Sequence, residues 1–346
     1  MKKILMVGPA RSVKGGMTTV VDNYYYAGLD KKVSLKYIET INDKNKVSKF
    51  ISEVKGKVNY ILNIKKYEIV HIHVASRRST FRKSWYVRLA KKYNKKVILH
   101  IHGAGYKKFY SECSQRQKEY IKRTFELCDK VIVLSEEWYD YFKELMDEKK
   151  IEVIYNSIIM PSDFEKNLDT NKFLFLGRIG NRKGIFDLLE VFSQIVDKYP
   201  NIKLYVGGDG EIERLKREII DKKLSNNVEY IGWISGNKKM QYLKECSFYV
   251  LPSYNEGMPM SVLEGMAYKN VTLSTNVGGI PKVIENLQNG IIFNPGDINT
   301  MKKNIVMLLE DEKLRKKLSE NAYKTIKNKF DINELIKKVL ELYENV

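Results

Sequence analysis

Twelve short apolar runs alternate along the chain with stretches of helical periodicity, and this alternation constrains the fold more than any other feature. Six runs lie in the first half, at 4–7, 35–39, 69–73, 97–101, 131–134 and 151–154. Six more lie in the second half, at 173–176, 203–206, 228–231, 248–251, 271–274 and 291–293. Near-continuous apolar strands separated by helices are typical of parallel sheets covered on both faces. The sequence therefore predicts an α/β protein with two doubly wound, Rossmann-like domains that face each other across a cleft.

The segment between the two sets of runs, 156–171, lacks clear periodicity and indicates a linker. We expect an N-terminal domain at 1–160, a C-terminal domain at 161–328 and a final helix at 329–346. The apolar spacing of that helix would let it pack back on either domain, for instance the N-terminal one. Ligands of doubly wound sheets bind beyond the carboxyl ends of the strands, so functional residues should follow the strands.

Several classes of protein are disfavoured by composition and pattern. No apolar run approaches the ~20 residues of a membrane span. The first run, 4–7, is too short for the core of a signal peptide and ends in Gly8-Pro9, so we expect a first strand there. The three cysteines are widely spaced, without zinc or redox spacing, and we expect a reducing, cytoplasmic setting.

The positive charge of the chain is concentrated in its first half. The formal net charge is +19 over 346 residues. Residues 1–160 hold 33 basic and 17 acidic side chains, whereas residues 161–346 hold 28 and 25. No acidic residue occurs at 69–111. A lysine-rich composition alone would not produce this asymmetry, so a polyanion, either a membrane surface or a nucleic acid, is the expected partner of the first half.

The stretch 77–96 carries much of this charge and has helical periodicity. An aromatic and apolar stripe, 81, 85, 89 and 93, would face the core of an ordinary surface helix. Alternatively, Trp85 or Tyr86 at the rim would suit docking at a membrane interface, with the cations on anionic headgroups. The face predicted to meet a membrane or acceptor comprises Arg77, Arg78, Arg82, Lys83, Trp85, Arg88 and Lys92.

The usual phosphate-binding motifs are absent, but separate polar sites follow several strands. Neither G-x-G-x-x-G nor the P-loop pattern occurs, and no Asp-x-Asp pair is present to hold a metal–diphosphate complex. Gly15-Gly16 follows the first strand and opens a helix, where it would be either an anion site or a flexible turn. Arg178 and Lys183 bracket a loop before another helix and would suit a diphosphate, unless they are solvated surface charges.

The most informative stretch is 251–265, where Glu256 lies in a loop and Glu264 lies eight residues later in the following helix. The loop would present one carboxylate at the centre of a ligand, and the helix would hold the other at its edge. Free N–H groups around Met260 and Ser261 lie between them and could bind phosphate. Sugar hydroxyls, a diphosphate and a ribose present polar groups in that order, so the pattern favours a sugar nucleotide.

This stretch, E-G-M-P-M-S-V-L-E-G-M-A, resembles the signature of the retaining family 4 glycosyltransferases, which have the GT-B fold. The segments L-G-R-I-x-x-x-K-G at 176–184, N-V-G-G-I-P-K-V-I at 276–284 and N-G-I-I-F at 289–293 resemble other motifs of that family in the same order. H-I-H-G-A-G at 100–105 resembles the segment that carries the family's active-site histidine, and Gly15-Gly16 its glycine loop. The resemblance spans residues 8 to about 293.

The resemblance implies a retaining, metal-independent transfer of sugar from a nucleotide-diphosphate donor, with no cofactor, and the donor that we expect is a UDP-sugar. Glu256 and His102 would be the catalytic-centre residues, with Glu256 on the sugar hydroxyls rather than acting as a covalent nucleophile. The residues implied to bind the donor are Gly15, Gly16, Arg178, Lys183, Trp233, Ile234, Gly257, Met258, Met260, Ser261 and Glu264. Among them, Glu264 would hold the ribose, and the loop at Trp233 and Ile234 would contact the base.

The same resemblance implies a glycan acceptor, lipid-linked or else a small soluble molecule, in bacterial capsule, exopolysaccharide or lipopolysaccharide synthesis. We therefore expect a cytoplasmic enzyme, peripheral on the inner face of an anionic plasma membrane. Nucleic acid is the weaker alternative, because no recognised motif accompanies the charge. A non-catalytic sugar-nucleotide binder is disfavoured because the polar residues implied for the site are all present. They are Glu256, Glu264, Arg178, Lys183 and His102.

All four histidines occur in two His-x-His pairs, 71/73 and 100/102. Residues i and i+2 of a strand share a face, so four imidazoles on adjacent strands could bind zinc. No carboxylate or thiolate is near them in the sequence to complete a typical site. We therefore expect no metal, with His71 and His100 packed in strands and His102 exposed beyond the strand end.

Overall fold

The computed structural model describes residues 1–13 and 15–346. Two compact units make up the chain. The first is formed by Met1–Ile159 together with Asp331–Val346, and the second by Met160–Phe330. The second unit therefore lies between two parts of the first along the sequence.

The first unit contains a six-stranded parallel sheet with helices between its strands. Its strands are β1 (Lys3–Gly8), β2 (Ser34–Glu39), β3 (Ile69–Val74), β4 (Lys96–Ile101), β5 (Lys130–Val133) and β6 (Ile151–Val153). Its helices are α1 (Gly16–Tyr26), α2 (Leu29–Lys32), α3 (Lys46–Ile64), α4 (Arg78–Lys92), α5 (Tyr106–Ser111), α6 (Gln115–Leu127) and α7 (Glu136–Lys143). A short 3-10 turn, Glu148–Lys150, precedes β6.

The second unit repeats this architecture. Its strands are β7 (Lys172–Leu176), β8 (Lys203–Gly207), β9 (Val228–Gly232), β10 (Phe248–Leu251), β11 (Val271–Thr275) and β12 (Ile291–Phe293). Its helices are α8 (Ile185–Ser193), α9 (Ile212–Asp221), α10 (Gly236–Glu245), α11 (Met260–Ala267), α12 (Ile280–Val283), α13 (Ile298–Glu310) and α14 (Glu312–Lys329). A 3-10 turn, Asn181–Lys183, precedes α8.

All strands within each sheet are parallel, and the order in which the chain adds them to the sheet reverses once. The first has the strand order β2-β1-β3-β4-β5-β6, and the second β12-β11-β10-β7-β8-β9. In the first sheet β2 lies on one side of β1, and β3 to β6 continue on its other side. In the second sheet β8 and β9 lie on one side of β7, and β10 to β12 continue on its other side. Such switch points open a crevice at the carboxyl ends of the flanking strands. The predicted fold class, with two doubly wound α/β sheets, is confirmed.

The apolar runs form strands because helices cover both faces of each sheet. Every residue of β3 and of β10 is buried, and the side chains of both faces lie in cores. Alternation of polar and apolar residues is therefore absent from these strands. In most cases the observed strands extend the predicted runs by one or two residues.

The last helix, α15 (Ile332–Asn345), belongs to the first unit. The backbone N–H of Ile332 donates a hydrogen bond to the carbonyl of Ile158, next to the unit boundary. Tyr343 is buried at the other end of the helix, where its hydroxyl lies 2.6 Å from Nδ1 of His71 in β3. The apolar face of α15 thus covers the sheet of the first unit, beside α1.

Within residues 1–13 and 15–346, none of the helices combines the length and the apolar character needed to cross a bilayer.

Candidate active site

Two residues of opposite charge meet at the switch point of the second sheet. Lys183 follows β7, Glu256 follows β10, and these are the two strands between which the chain reverses direction. Nζ of Lys183 forms an ion pair with Oε1 of Glu256. The side chains are only 13% and 6% exposed, so the pair is largely removed from water. The cation predicted to hold a diphosphate therefore touches the carboxylate predicted to hold a sugar.

The loops that carry this pair are joined by hydrogen bonds to backbone carbonyls. The guanidinium of Arg182 donates to the carbonyl of Asn255 at 2.9 Å, and the N–H of Tyr254 donates to the carbonyl of Arg182 at 2.9 Å. Gly184 has a left-handed φ of +68°, and a Cβ there would lie 2.0 Å from the carbonyl oxygen of Pro252. Only glycine permits both the backbone conformation and this approach.

A third loop, after β11, supports Glu256 from the other side. Gly278 has a φ of +58°, and a Cβ there would lie 2.1 Å from the carbonyl oxygen of Glu256. The next residue, Gly279, donates its N–H to the carbonyl of Gly257 at 2.5 Å. Loops from three neighbouring strands thus converge on Glu256, the third of them on its backbone, which explains why glycines recur in the sequence at 278–279.

The helix that follows Glu256 begins with open backbone donors. In α11 no side chain caps the first turn, which starts after Pro259 and contains no acidic residue. The N–H groups at Met260 and Ser261 are therefore available to an anion, and the helix dipole favours one there. Gly257, Met258 and Met260 are buried, whereas Ser261 is half-buried.

Glu264 lies further along α11 and has a partner that the sequence did not indicate. Nζ of Lys239, in α10, is 2.6 Å from Oε1 of Glu264. The carboxylate side chain is 14% exposed, so this pair is also mostly shielded from water. Lys239 lies in an ordinary lysine-containing helix, and only the tertiary structure shows that it contacts Glu264.

The remaining residues predicted to bind the donor lie at loops that follow strands of the second unit. Arg178 follows β7 and is exposed. Trp233 follows β9 and is 39% exposed, and its neighbour Ile234 is buried. Arg178 comes from the same loop as Lys183, and Trp233 comes from the edge strand of the sheet, two strands away from β7.

In the first unit, the predicted glycine loop opens α1. Gly15 is the residue before the helix, with a φ of +150°, and Gly16 is its first residue. No acidic side chain and no side-chain cap occupies the first turn. The hydroxyl of Thr18 donates to the carbonyl of Gly15 at 2.6 Å, which fixes the turn. The geometry suits an anion at this helix end.

The four histidines lie together on one face of the first sheet. His73 in β3 is directly opposite His100 in β4. Nδ1 of His73 lies 2.9 Å from Nε2 of His102, so these two rings share a hydrogen bond. His102 is half-buried, which corrects the prediction that it is exposed, because it stacks against the rings of the cluster. His71 stacks on His73.

Burial keeps these imidazoles neutral. It lowers the pKa of His71 and of His102 to about 3, and it lowers the pKa of His73 and His100 well below the usual value. Tyr24 of α1, Tyr343 of α15 and Lys83 of α4 are the other titratable groups near the cluster. Since burial also lowers the pKa of Lys83 and raises that of both tyrosines, none of these three groups favours protonation of the rings.

Three of these rings are close enough to hold a metal ion. One nitrogen from each of His71, His73 and His100 lies within 4.8 Å of the others. Among the described residues, no carboxylate or thiolate belongs to this cluster. A divalent ion there would carry its full charge into a fully buried place, which is unfavourable. The arrangement is better suited to a packed, neutral cluster.

The predicted membrane face on α4 needs correction. Lys83 is buried, and its ammonium donates to the hydroxyl of Thr40 at 2.6 Å. Tyr86 is fully buried, and Trp85 is half-buried between the rings of Tyr60 and Tyr86. Lys83 and Tyr86 therefore cannot reach a membrane, whereas Trp85 keeps part of its side chain exposed.

The other cations of that face differ in exposure. Arg77, Arg78 and Lys92 are exposed. Arg82 and Arg88 are half-buried, and Arg88 stacks on Tyr120 at 4.4 Å. The aromatic stripe Phe81, Trp85, Leu89 and Tyr93 packs against the edge of the core.

Two doubly wound units with a carboxylate, a cation and an open helix end at the switch point define a class, the glycosyltransferases with the GT-B fold. Comparison with known proteins agrees. The family model described as "Glycosyltransferase Family 4" matches residues 45–159, and the one described as "Glycosyl transferases group 1" matches residues 156–325. Residues 45–325 thus contain a glycosyltransferase family 4 domain followed by a glycosyl transferases group 1 domain.

Similar curated proteins are also glycosyltransferases. An uncharacterized glycosyltransferase of Methanocaldococcus jannaschii is 29% identical over 72% of this chain and 68% of the relative. The N,N'-diacetylbacillosaminyl-diphospho-undecaprenol alpha-1,3-N-acetylgalactosaminyltransferase of Campylobacter jejuni is 29% identical over 65% of this chain and 62% of its own length. The 2-deoxystreptamine N-acetyl-D-glucosaminyltransferase of Niallia circulans is 24% identical over 84% and 80%.

Solved structures share the fold at low sequence identity. Sucrose-phosphate synthase from Thermosynechococcus elongatus matches with a TM-score of 0.84 and 18% identity, over 100% of this chain and 99% of the other. Anabaena HepE in complex with UDP-glucose matches with a TM-score of 0.78 and 16% identity over the full length of both chains. The predicted GT-B fold and family are confirmed.

Proposed function

We propose that this chain transfers a sugar, with retention of configuration, from a UDP-sugar to a hydroxyl of a lipid-linked glycan in bacterial polysaccharide synthesis. The contact between Lys183 and Glu256 is the observation that carries the proposal. In a nucleotide sugar the transferred ring is bonded directly to the diphosphate. A site for such a donor needs a cation and a hydroxyl-binding carboxylate side by side.

The donor-binding roles follow from this placement. Lys183 and Arg178 bind the diphosphate together with the N–H groups at the start of α11. Glu256 accepts hydrogen bonds from hydroxyls of the transferred sugar. Glu264, about one turn along α11, accepts hydrogen bonds from the ribose. The loop at Trp233 contacts the base.

The chemistry needs charge stabilisation at the leaving group. The acceptor oxygen forms a bond to the anomeric carbon as the bond from that carbon to the diphosphate oxygen breaks, on the same face of the sugar. The released diphosphate gains negative charge, which Lys183 and Arg178 stabilise, and one of its oxygens takes the acceptor proton. His102, neutral at pH 7, acts as a hydrogen-bond partner of the donor sugar. These residues supply the required charge without a metal.

Glu256 is the less suitable group for a covalent intermediate. Its carboxylate is already paired with Lys183, which lowers the nucleophilicity of the oxygen that it contacts. Hydrogen bonding to sugar hydroxyls uses the same charge without forming a bond from the carboxylate to the anomeric carbon.

The acceptor is proposed from the relatives. The Campylobacter jejuni relative is named for a diphospho-undecaprenol acceptor, and a Staphylococcus aureus relative, 27% identical over 62% of this chain, is named for capsular polysaccharide biosynthesis. We therefore place the enzyme at the inner face of the plasma membrane. A soluble acceptor is the second candidate, since the Niallia circulans relative is named for 2-deoxystreptamine.

A donor screen tests the proposal. UDP-, GDP- and ADP-sugars are offered to the purified chain, and donor hydrolysis and thermal shift are measured. Stabilisation and hydrolysis by a UDP-sugar are expected, and the product made with a lipid-linked acceptor should keep the anomeric configuration of the donor by NMR. An inverted product, or no response to any nucleotide sugar, would contradict the proposal.

A further inference from the structure

Helix α3 exposes an apolar surface that no other part of the described chain covers. Sixteen large apolar side chains are exposed among the described residues, and seven of them belong to this one helix. The seven, here called the α3 stripe, are Val47, Phe50, Ile51, Val54, Val58, Ile61 and Leu62. Phe50 and Leu62, near its two ends, are 70% and 69% exposed.

The seven residues lie on one side of the helix. At 3.6 residues per turn they fall within about 120° of its circumference. The buried residues of α3 are Gly56, Tyr60, Asn63 and Ile64, and they lie on the opposite side. The helix is therefore amphipathic, with a narrow inner face on the protein and a wide apolar face on the outside.

The inner face fixes the helix in this orientation. A Cβ on Gly56 would lie 2.4 Å from the carbonyl oxygen of Glu39, so the helix backbone approaches β2 closely. The buried hydroxyl of Tyr60 donates to the carbonyl of Tyr86 at 2.9 Å. Rotating the helix to bury the stripe would break both contacts, so the exposed stripe is a stable property of the fold.

Lysines border the stripe on both sides. Residues 44–66 hold seven lysines and one acidic residue, Glu53. Glu53 is paired with Lys57 at 2.9 Å, which leaves the other lysines unmatched by acid within this segment. Lys46 lies on one edge of the stripe and Lys55 on the other, both exposed. Long lysine side chains at such edges extend to the aqueous side of an interface.

We propose that the α3 stripe inserts into the surface of a membrane containing anionic lipid. An apolar face bordered by lysines fits acyl chains below a layer of negative headgroups. A second copy of the chain fits less well, because pairing two stripes would bring two lysine-rich borders together. Only the benefit of membrane insertion rests on the proposed function: it places the enzyme beside a lipid-linked acceptor.

The experiment places an environment-sensitive dye on the stripe. The native cysteines, Cys113, Cys128 and Cys246, are buried, and burial raises the pKa of their thiols, so they react slowly with a thiol-directed dye. Phe50→Cys puts a reactive thiol on the stripe. Ile220→Cys puts a matched thiol at an equally exposed apolar position on α9, in the other unit.

Vesicles of phosphatidylglycerol and phosphatidylcholine should shift the emission of the dye at position 50 to shorter wavelength, and high salt should reduce the bound fraction. The dye at position 220 should not shift, and pure phosphatidylcholine should bind poorly. The triple variant Phe50→Gln, Val54→Gln and Leu62→Gln should lower vesicle binding at least about tenfold, with unchanged helix content and unchanged hydrolysis of the donor.

Three results would overturn the inference. They are no shift at position 50 on anionic vesicles, equal shifts at both positions, and a stripe-dependent dimer formed without lipid. Failure of the chain to use any nucleotide sugar, with vesicle binding intact, would instead contradict the proposed function and leave the docking surface standing.

Discussion

Replacing Lys183 tests whether the ion pair at the switch point supports the fold as well as the donor. Lys183→Met leaves the Glu256 carboxylate, which is 6% exposed, without its partner. Breaking a buried pair by removing one partner costs about 3–5 kcal/mol. Because Lys183 retains some exposure, we expect the lower end, about 3 kcal/mol. For a unit of this size, that loss lowers Tm by roughly 6–12 °C.

The double variant Lys183→Met/Glu256→Gln distinguishes the cost of an unpaired Glu256 carboxylate from a loss of packing by the lysine side chain. The amide carries no charge, so the double variant should recover most of the lost stability. Affinity for UDP should fall about tenfold to a hundredfold in both variants, since each lacks the cation that binds the diphosphate. Thermal unfolding measures the first effect, and titration calorimetry with UDP measures the second.

A surface pair supplies the control. Lys216 lies 3.0 Å from Glu213 in α9, and both side chains are largely exposed. Lys216→Met should therefore change stability by less than about 0.5 kcal/mol. If Lys183→Met were equally harmless, or if the two substitutions of the double variant destabilised additively, the carboxylate would not depend on Lys183 and the reasoning would be refuted.

Three further results are expected. Sugar transfer should persist in excess chelator, because Arg178 and Lys183 supply the charge; loss of transfer with rescue by manganese would contradict this. Glu264→Ala should weaken donor binding by about 1–3 kcal/mol, measured by titration, whereas a folded variant of unchanged affinity would remove its role. Stability should fall as the pH is lowered from 6.5 to about 3, because His71 and His102 bind protons in this range in the unfolded chain, whereas in the folded chain their pKa is lowered to about 3. The slope should reach about 1.4 kcal/mol per pH unit for each ring in a pH series of unfolding, and a flat profile would show that the rings are solvated.

The strands could be predicted well because a strand in a covered parallel sheet is a continuous apolar run. Loop positions of the candidate site followed from the same pattern, since Lys183 and Glu256 each lie in the segment that follows such a run. Their contact did not follow, because it depends on strand order. The strands β7 and β10 are neighbours in the sheet but are separated in the sequence by β8 and β9.

The orientation of a helix was harder to predict. On α4 the most buried face contains Thr80, Lys83, Val87 and Ala90, whose small or shielded side chains permit close packing on β3 and β4. An apolar stripe in the sequence does not predict a lysine on that face that donates a hydrogen bond to Thr40. The aromatic stripe of α4 instead fills the edge between neighbouring helices.

Helix α3 shows the opposite case. Its apolar stripe has the spacing of a core-facing surface, and the default expectation for such a stripe is burial. In the structure it faces outward, because Gly56 allows the opposite face to approach β2 closely and Tyr60 holds that face by a hydrogen bond to Tyr86.

Both carboxylates of the candidate site have a lysine partner, Glu256 with Lys183 and Glu264 with Lys239. A buried carboxylate without a partner would be costly, so these pairs stabilise the fold around the site. A donor that draws Lys183 towards its diphosphate weakens the hold of that lysine on Glu256. The hydroxyls of the attached sugar then become the partners of the carboxylate. On the proposed function, the diphosphate and the sugar are therefore bound in a coupled way, because each replaces one half of the same ion pair.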